Sequence, residues 1–157
     1  MQISVVVYKV LQKLQGDVSQ NIVIFQMCMK FFIDNGYNLI HSAAITGALE
    51  QQSNFKTWGD DITTGIALWA VNPSVGSRYS SLLRFADNYK PSSDWRKFSI
   101  QLQFVLFELR TSFNLTNSKL LNSQDIKSAS KIINQYYLSS TKSSESIALR
   151  VYDEVTS

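Results

Sequence analysis

The chain has 157 residues, a length that suits one domain whose core can hold without disulfides or a structural metal. Hydrophobic residues make up 45% and charged ones only 17%, and the net charge of +3 is scattered rather than gathered in a run, which argues against a nucleic-acid partner. A single cysteine excludes an internal disulfide, one histidine beside one cysteine makes a poor zinc set, and no stretch approaches the roughly 18 apolar residues of a membrane span.

The first residues, Met1 to Val7, lack a basic region and hold only a short apolar run, so no signal peptide is expected. Over residues 5–15, Val6, Val7, Val10, Leu11 and Leu14 fall at helical spacing, although the valines also suit a strand. Gly16-Asp17 breaks this pattern. Residues 19–34 predict a second helix, with Ile22, Phe25, Gln26, Met29, Phe32 and Ile33 on the helical period. Asn35-Gly36 ends it, because both residues tolerate the left-handed backbone of a helix stop. Tyr37 to Ile40 reads as a link. The next helix, residues 42–53, is rich in small residues: Ser42, Ala43, Ala44, Gly47 and Ala48. An interior glycine disfavours a helix by about 1 kcal/mol, so Gly47 predicts a close approach by a neighbour.

Residues 54–77 carry dense turn signals and predict a loop or small hairpin region that includes Trp58 and Trp69. A helix follows over residues 78–88, with Tyr79, Leu82, Leu83 and Ala86 on its apolar face. Another spans residues 95–112, apolar around most of its circumference, and reads as the central buried helix. Ser123 or Asp125 caps a helix through Tyr137, and Ser143 or Ser144 caps a last one through Val155. The fold class is therefore mainly α, with a small hairpin region after the first small-residue helix. Two isolated nucleophile candidates read as structure. Cys28, between Met27 and Met29, suits a buried thiol, and His41, the only histidine, has no spacing that demands a catalytic pair with it.

Four pieces in order carry a family resemblance. The first is Ala43-Ala44-Ile45-Thr46-Gly47-Ala48-Leu49-Glu50-Gln51-Gln52-Ser53-Asn54-Phe55; the second is Gly65-Ile66-Ala67-Leu68-Trp69. Arg78 with Leu82 and Phe85 is the third, and Gln101-Leu102 with the later Glu108-Leu109 is the fourth. Together they resemble the phage tail lysozyme family, a branch of the lysozyme-like glycosidases, from about residue 27 to 153. The resemblance implies an α+β lysozyme-like fold over residues 19–157, preceded by a helix or arm over 1–18. It implies a virion location, peptidoglycan glycan as substrate, other tail or injection-particle proteins as partners, and no cofactor or metal.

The family's reaction uses a protonated glutamate at the end of the small-residue helix to protonate the glycosidic oxygen. This chain has Gln52 there. An amide keeps the shape and can hydrogen-bond a sugar, but it has no acidic proton, and losing a general acid lowers the rate by about 10²- to 10⁴-fold. Glu50 stands two positions away, a rotation of roughly 200° on a helix, and so should face elsewhere. Asp60 and Asp61 are candidates for a second carboxylate but read more readily as a turn or cap. Glu108, on an apolar helix, reads as the partner of a buried base such as Arg78 or Arg84. By the resemblance, Ser53, Leu68, Trp69 and Tyr79 border the substrate, with Leu68 in place of a polar family residue. Trp58, Trp69 and Tyr79 have rings on which a sugar face can stack.

The expected protein is thus a lysozyme-like domain whose catalysis has decayed. The alternatives are an active peptidoglycan glycosidase using another carboxylate, and a glutamate exchanged for Gln52 to trap substrate.

Overall fold

The computed structural model describes residues 9–10, 23–89 and 91–157, and it is mainly helical. Within the first predicted helix, 5–15, only Lys9 and Val10 are described; both are helical and Val10 is buried. The rest of that segment, and the start of the predicted helix 19–34, lie outside the described residues.

Helix α1, Ile24–Asp34, buries Phe25, Cys28, Met29, Phe32 and Ile33, a stripe at the helical period. It ends as Asn35-Gly36 predicts. Gly36 has φ +97°, its N–H donates to the Ile33 carbonyl, and the Tyr37 N–H donates to the Phe32 carbonyl. This is the paired closure that satisfies the last carbonyls of a helix. The Tyr37 and Phe32 rings then meet edge to face at 5.6 Å.

Helix α2 runs Leu39–Ser53, earlier than the predicted start at Ser42. Tyr37 to Ile40 is only half a link, because Asn38 caps the helix: its Oδ1 accepts from the His41 N–H at 2.7 Å. Every residue from His41 to Leu49 is buried. The central helix is therefore α2, not the segment 95–112. Small side chains around the whole circumference let neighbours approach from all sides. The closest is α7, Glu145–Thr156, which buries Ala148, Val151 and Val155. A Cβ on Gly47 would lie 2.7 Å from the Ala148 backbone nitrogen and 2.8 Å from its Cα, so the predicted close approach is a backbone contact.

A two-stranded antiparallel hairpin follows, β1 (Thr63–Thr64) and β2 (Trp69–Ala70), with Thr63 opposite Ala70 and Thr64 opposite Trp69. Helix α3, Arg78–Asn88, starts where Ser77 Oγ accepts from the Ser80 N–H. Helix α4, Phe98–Arg110, is shorter than the predicted 95–112 and leaves Phe107 at the surface. Helix α5, Asn114–Asn122, has no counterpart among the predicted elements. Helix α6, Ile126–Ile132, is capped by Asp125 and widens into a π-helical turn over Ile133–Tyr137. One hydrophobic core links α1, α2, α4, the π turn and α7.

Candidate functional site

The site is built where α2 stops. Gln52 is partly buried in its last turn, followed by Ser53 at the C-terminus of the helix. Asn54 and Phe55 then both take left-handed backbone, φ 52° and 60°. Asn accepts this readily, whereas a bulky Phe does so only under tertiary constraint. The Phe55 side chain supplies that constraint: it is buried and meets Phe98 edge to face at 6.2 Å.

Two buried side chains then fix the hairpin loop to the helices through one residue, Ile66. Ser53 Oγ donates to the Ile66 carbonyl at 2.6 Å, with the Leu49 carbonyl also within reach at 3.1 Å. Gln101 Oε1 accepts from the Ile66 N–H at 3.0 Å. The Gln101 amide nitrogen donates to the carbonyls of Thr57 and Trp95, at 3.0 and 3.1 Å. Gln101 therefore gathers three loops at one point. Gly65 is required here, since its φ is +83° and a Cβ would sit 2.5 Å from the Trp69 ring. Ser53, expected at the substrate, is 8% exposed and spends its hydroxyl on this framework.

The carboxylates near Gln52 are all spoken for except Asp61. Glu50 is ion-paired with Arg150 of α7. Asp60 caps the hairpin turn: its Oδ1 accepts from the N–H groups of Ile62 and Thr63, at 2.8 and 3.0 Å. Those amides, Thr63 first, hold its carboxyl below the usual range, the opposite of what a proton donor needs. Asp61 is exposed beside it.

Glu108 is buried and is the hub of a polar cluster. It accepts from Arg78 Nε at 2.8 Å, Arg78 Nη2 at 2.9 Å, the Trp69 indole N–H at 3.1 Å and the Tyr137 hydroxyl at 2.7 Å. Arg78 is thus the base expected for Glu108; Arg84 instead reaches Ser81 at 3.5 Å. Burial opposes the Arg78 charge most strongly of any one cause, but the hydrogen bond to Glu108 together with the charges and bonding of Glu108 and Tyr137 outweighs it and raises the guanidinium above its ordinary value. Burial, and then the Glu108 charge, push the Tyr137 phenol well above its ordinary value. Trp69 lies in this cluster at 2% exposure, so its ring is a core ring without a free face for a sugar. Its N–H explains the burial, because the Glu108 carboxylate gives it an acceptor inside the core.

An exposed aromatic group lies elsewhere around the same loops. Trp58 is 57% exposed, tilted against Trp95 at 6.1 Å, with the Arg96 guanidinium 4.1 Å from its ring centre. Tyr79 meets Trp95 edge to face at 5.9 Å. Trp95 and Arg96 were not among the residues expected near a glycan; they are adjacent in the turn from Asp94 to Lys97 that leads into α4. Leu68 is partly buried at φ 51° in the hairpin loop, its N–H donating to the Gly65 carbonyl. Gln52 lines neither of two grooves of about 500 and 460 Å³, one beside α6 and one between α3 and α4.

Cys28 and His41 have separate partners. Burial pushes the Cys28 thiol up to about 12, while Thr46 Oγ1 donates to its sulfur at 3.3 Å. His41 Nε2 lies 2.8 Å from the Ser123 carbonyl.

No curated protein and no solved structure matches the chain. The family described as phage tail lysozyme does, over residues 25–152. The match spans the helices, the hairpin and the Glu108 cluster, and the chain belongs to the phage tail lysozyme family.

Proposed function

We propose that this chain is a virion lysozyme domain in which glycan cleavage has been lost or greatly weakened, while the fold serves the particle structurally or at the cell wall. The observation that carries this reading is Gln52 at the position where the family's general acid stands, while the carboxylates near it among the described residues, Asp61 apart, are engaged elsewhere. Glu50 is held by Arg150, Asp60 by two backbone amides, and Glu108 by four donors. Asp61 is exposed to water rather than enclosed in the partly apolar cleft that a glycosidase's general acid occupies. The Trp58, Trp95 and Tyr79 group supports retained contact with sugar, since an exposed indole offers an apolar face beside the Arg96 cation. In the same reading residues 19–157 are the lysozyme-like unit, 1–18 are a helix or arm that precedes it, and neighbouring tail proteins are its partners.

Purified peptidoglycan tests this with two measurements on the chain and on Gln52→Glu. Turbidity should stay constant with the chain as given. Sedimentation with the insoluble wall should still carry it down, and Trp58→Ala should weaken that retention. Robust solubilisation by the unaltered chain, lost in Asp61→Asn, would establish an active glycosidase instead. Lysis restored fully by Gln52→Glu would show that the remainder of the site is intact and that only the acid had been exchanged.

A further inference from the structure

A groove of about 500 Å³ lies between α6, the π turn and the loop entering α7. It shares no residue with the end of α2. Three lysines line it, Lys127, Lys131 and Lys142, against one carboxylate, Glu145. Lys127 and Lys131 are one turn apart on α6, so their charges share a face and repel. Asp125, which caps α6, is the other acid near Lys127. None of the three lysines joins an ion pair among the described residues.

Helix α7 begins at this groove without a side-chain cap. Ser144 occupies the cap position, but its hydroxyl accepts from Asn134 Nδ2 at 2.7 Å and makes no bond to the first turn. The Glu145 N–H has only a long contact, 3.4 Å, to Ser143 Oγ. An uncapped first turn leaves backbone donors and the positive end of the helix dipole open to an anion.

Ser130 supplies the second, independent observation. It lines the groove, is 2% exposed, and its hydroxyl has no hydrogen-bond partner among the described residues. A buried hydroxyl without a partner is unfavourable, and a ligand oxygen would give it the acceptor that the protein withholds. Asn134, in the π turn, links the two walls by donating both to the Ser130 carbonyl at 3.0 Å and to Ser144. Single π turns recur at functional sites.

We infer that this groove binds a phosphate group carried on a sugar-sized body. The charge favours phosphate over a single carboxylate, since three lysines against Glu145 leave a surplus that a dianion neutralises. The volume is in the range that holds a small organic molecule. The inference does not depend on whether Gln52 has silenced the glycosidase.

Calorimetric titration of the full chain with glucose 6-phosphate, and with glucose as the uncharged control, tests it. The phosphate ester should bind and glucose should not. Lys127→Gln, Lys131→Gln and Lys142→Gln, all at exposed positions, should each weaken binding by at least about fivefold. Ser130→Ala separates a ligand from a structural role: it should raise the melting temperature of the free protein and lower its affinity for the ester. Absence of binding at millimolar ester, equal binding of glucose, or an affinity indifferent to Ser130→Ala would each overturn the assignment.

Discussion

Glu108 and Asp60 are both carboxylates tied down by hydrogen bonds, yet they carry different consequences. Glu108 is buried against a guanidinium, an indole and a phenol, and Glu108→Gln removes the charge while keeping the volume. The Arg78 cation is then left beside a neutral amide. Breaking a buried pair from one side typically destabilises by about 3–5 kcal/mol. Since the Arg78 side chain is 33% exposed, water recovers part of that, and a loss of about 2–3 kcal/mol is expected in urea unfolding. A loss below that of an ordinary surface change would mean the cluster is held by packing alone. Asp60 is exposed, so its effect is read locally. Its carboxyl is depressed in the fold, so its contribution to the hairpin is present above the unfolded carboxyl value and fades as pH falls through the lower folded one. The amide NMR signals of Ile62 and Thr63 should therefore titrate together, below the usual carboxylate range. Asp60→Asn should abolish that transition while keeping an acceptor at the turn; a transition that survives would show that Asp60 is not its source.

At the scale of elements, the sharpest contact is α2 against α7. Replacing Gly47 with alanine improves helix propensity by about 1 kcal/mol, but the new Cβ meets the nitrogen and Cα of Ala148 at 2.7 and 2.8 Å. Backbone atoms cannot rotate aside as a side-chain tip does. Overpacking therefore wins, and Gly47→Ala should lower stability by about 1–2 kcal/mol in thermal or urea unfolding. Adding Ala148→Gly should recover only part of it, because that change removes a Cβ and leaves the two closer backbone contacts. An unchanged melting temperature in the single variant would mean α7 shifts freely. The elements legible in advance are those whose ends carry local chemistry: Asn35-Gly36 closing α1 and Asp125 opening α6. Helix α5 was not legible, because its cap position is Phe113, it buries only Thr116 and Leu120, and its remaining residues show no apolar stripe. The central place of α2 was likewise hidden, since small residues mark a helix that is approached closely without saying from how many sides.

Across the whole molecule, the site's chemistry was more legible than its architecture. Position 52 could be read as an amide at a helix end, and Glu108 as a carboxylate in need of a base. Which arginine answers Glu108, and that Gln101 rather than any catalytic group joins three loops, depend on contacts between segments far apart in the chain. The same long-range packing isolates Cys28, which is fully buried with its thiol pushed up to about 12, so both access and thiolate formation are suppressed in the native state. The core around it is shared by α1, α2, α4, the π turn and α7, so no small local motion should expose it. Labelling of Cys28 by a thiol reagent at mildly alkaline pH should therefore report global opening. Its free energy from the labelling rate should match that from urea unfolding, and should fall in parallel in Glu108→Gln and Gly47→Ala. Fast labelling in native buffer, or a rate unmoved by both variants, would show that α1 detaches from α2 as an independent unit.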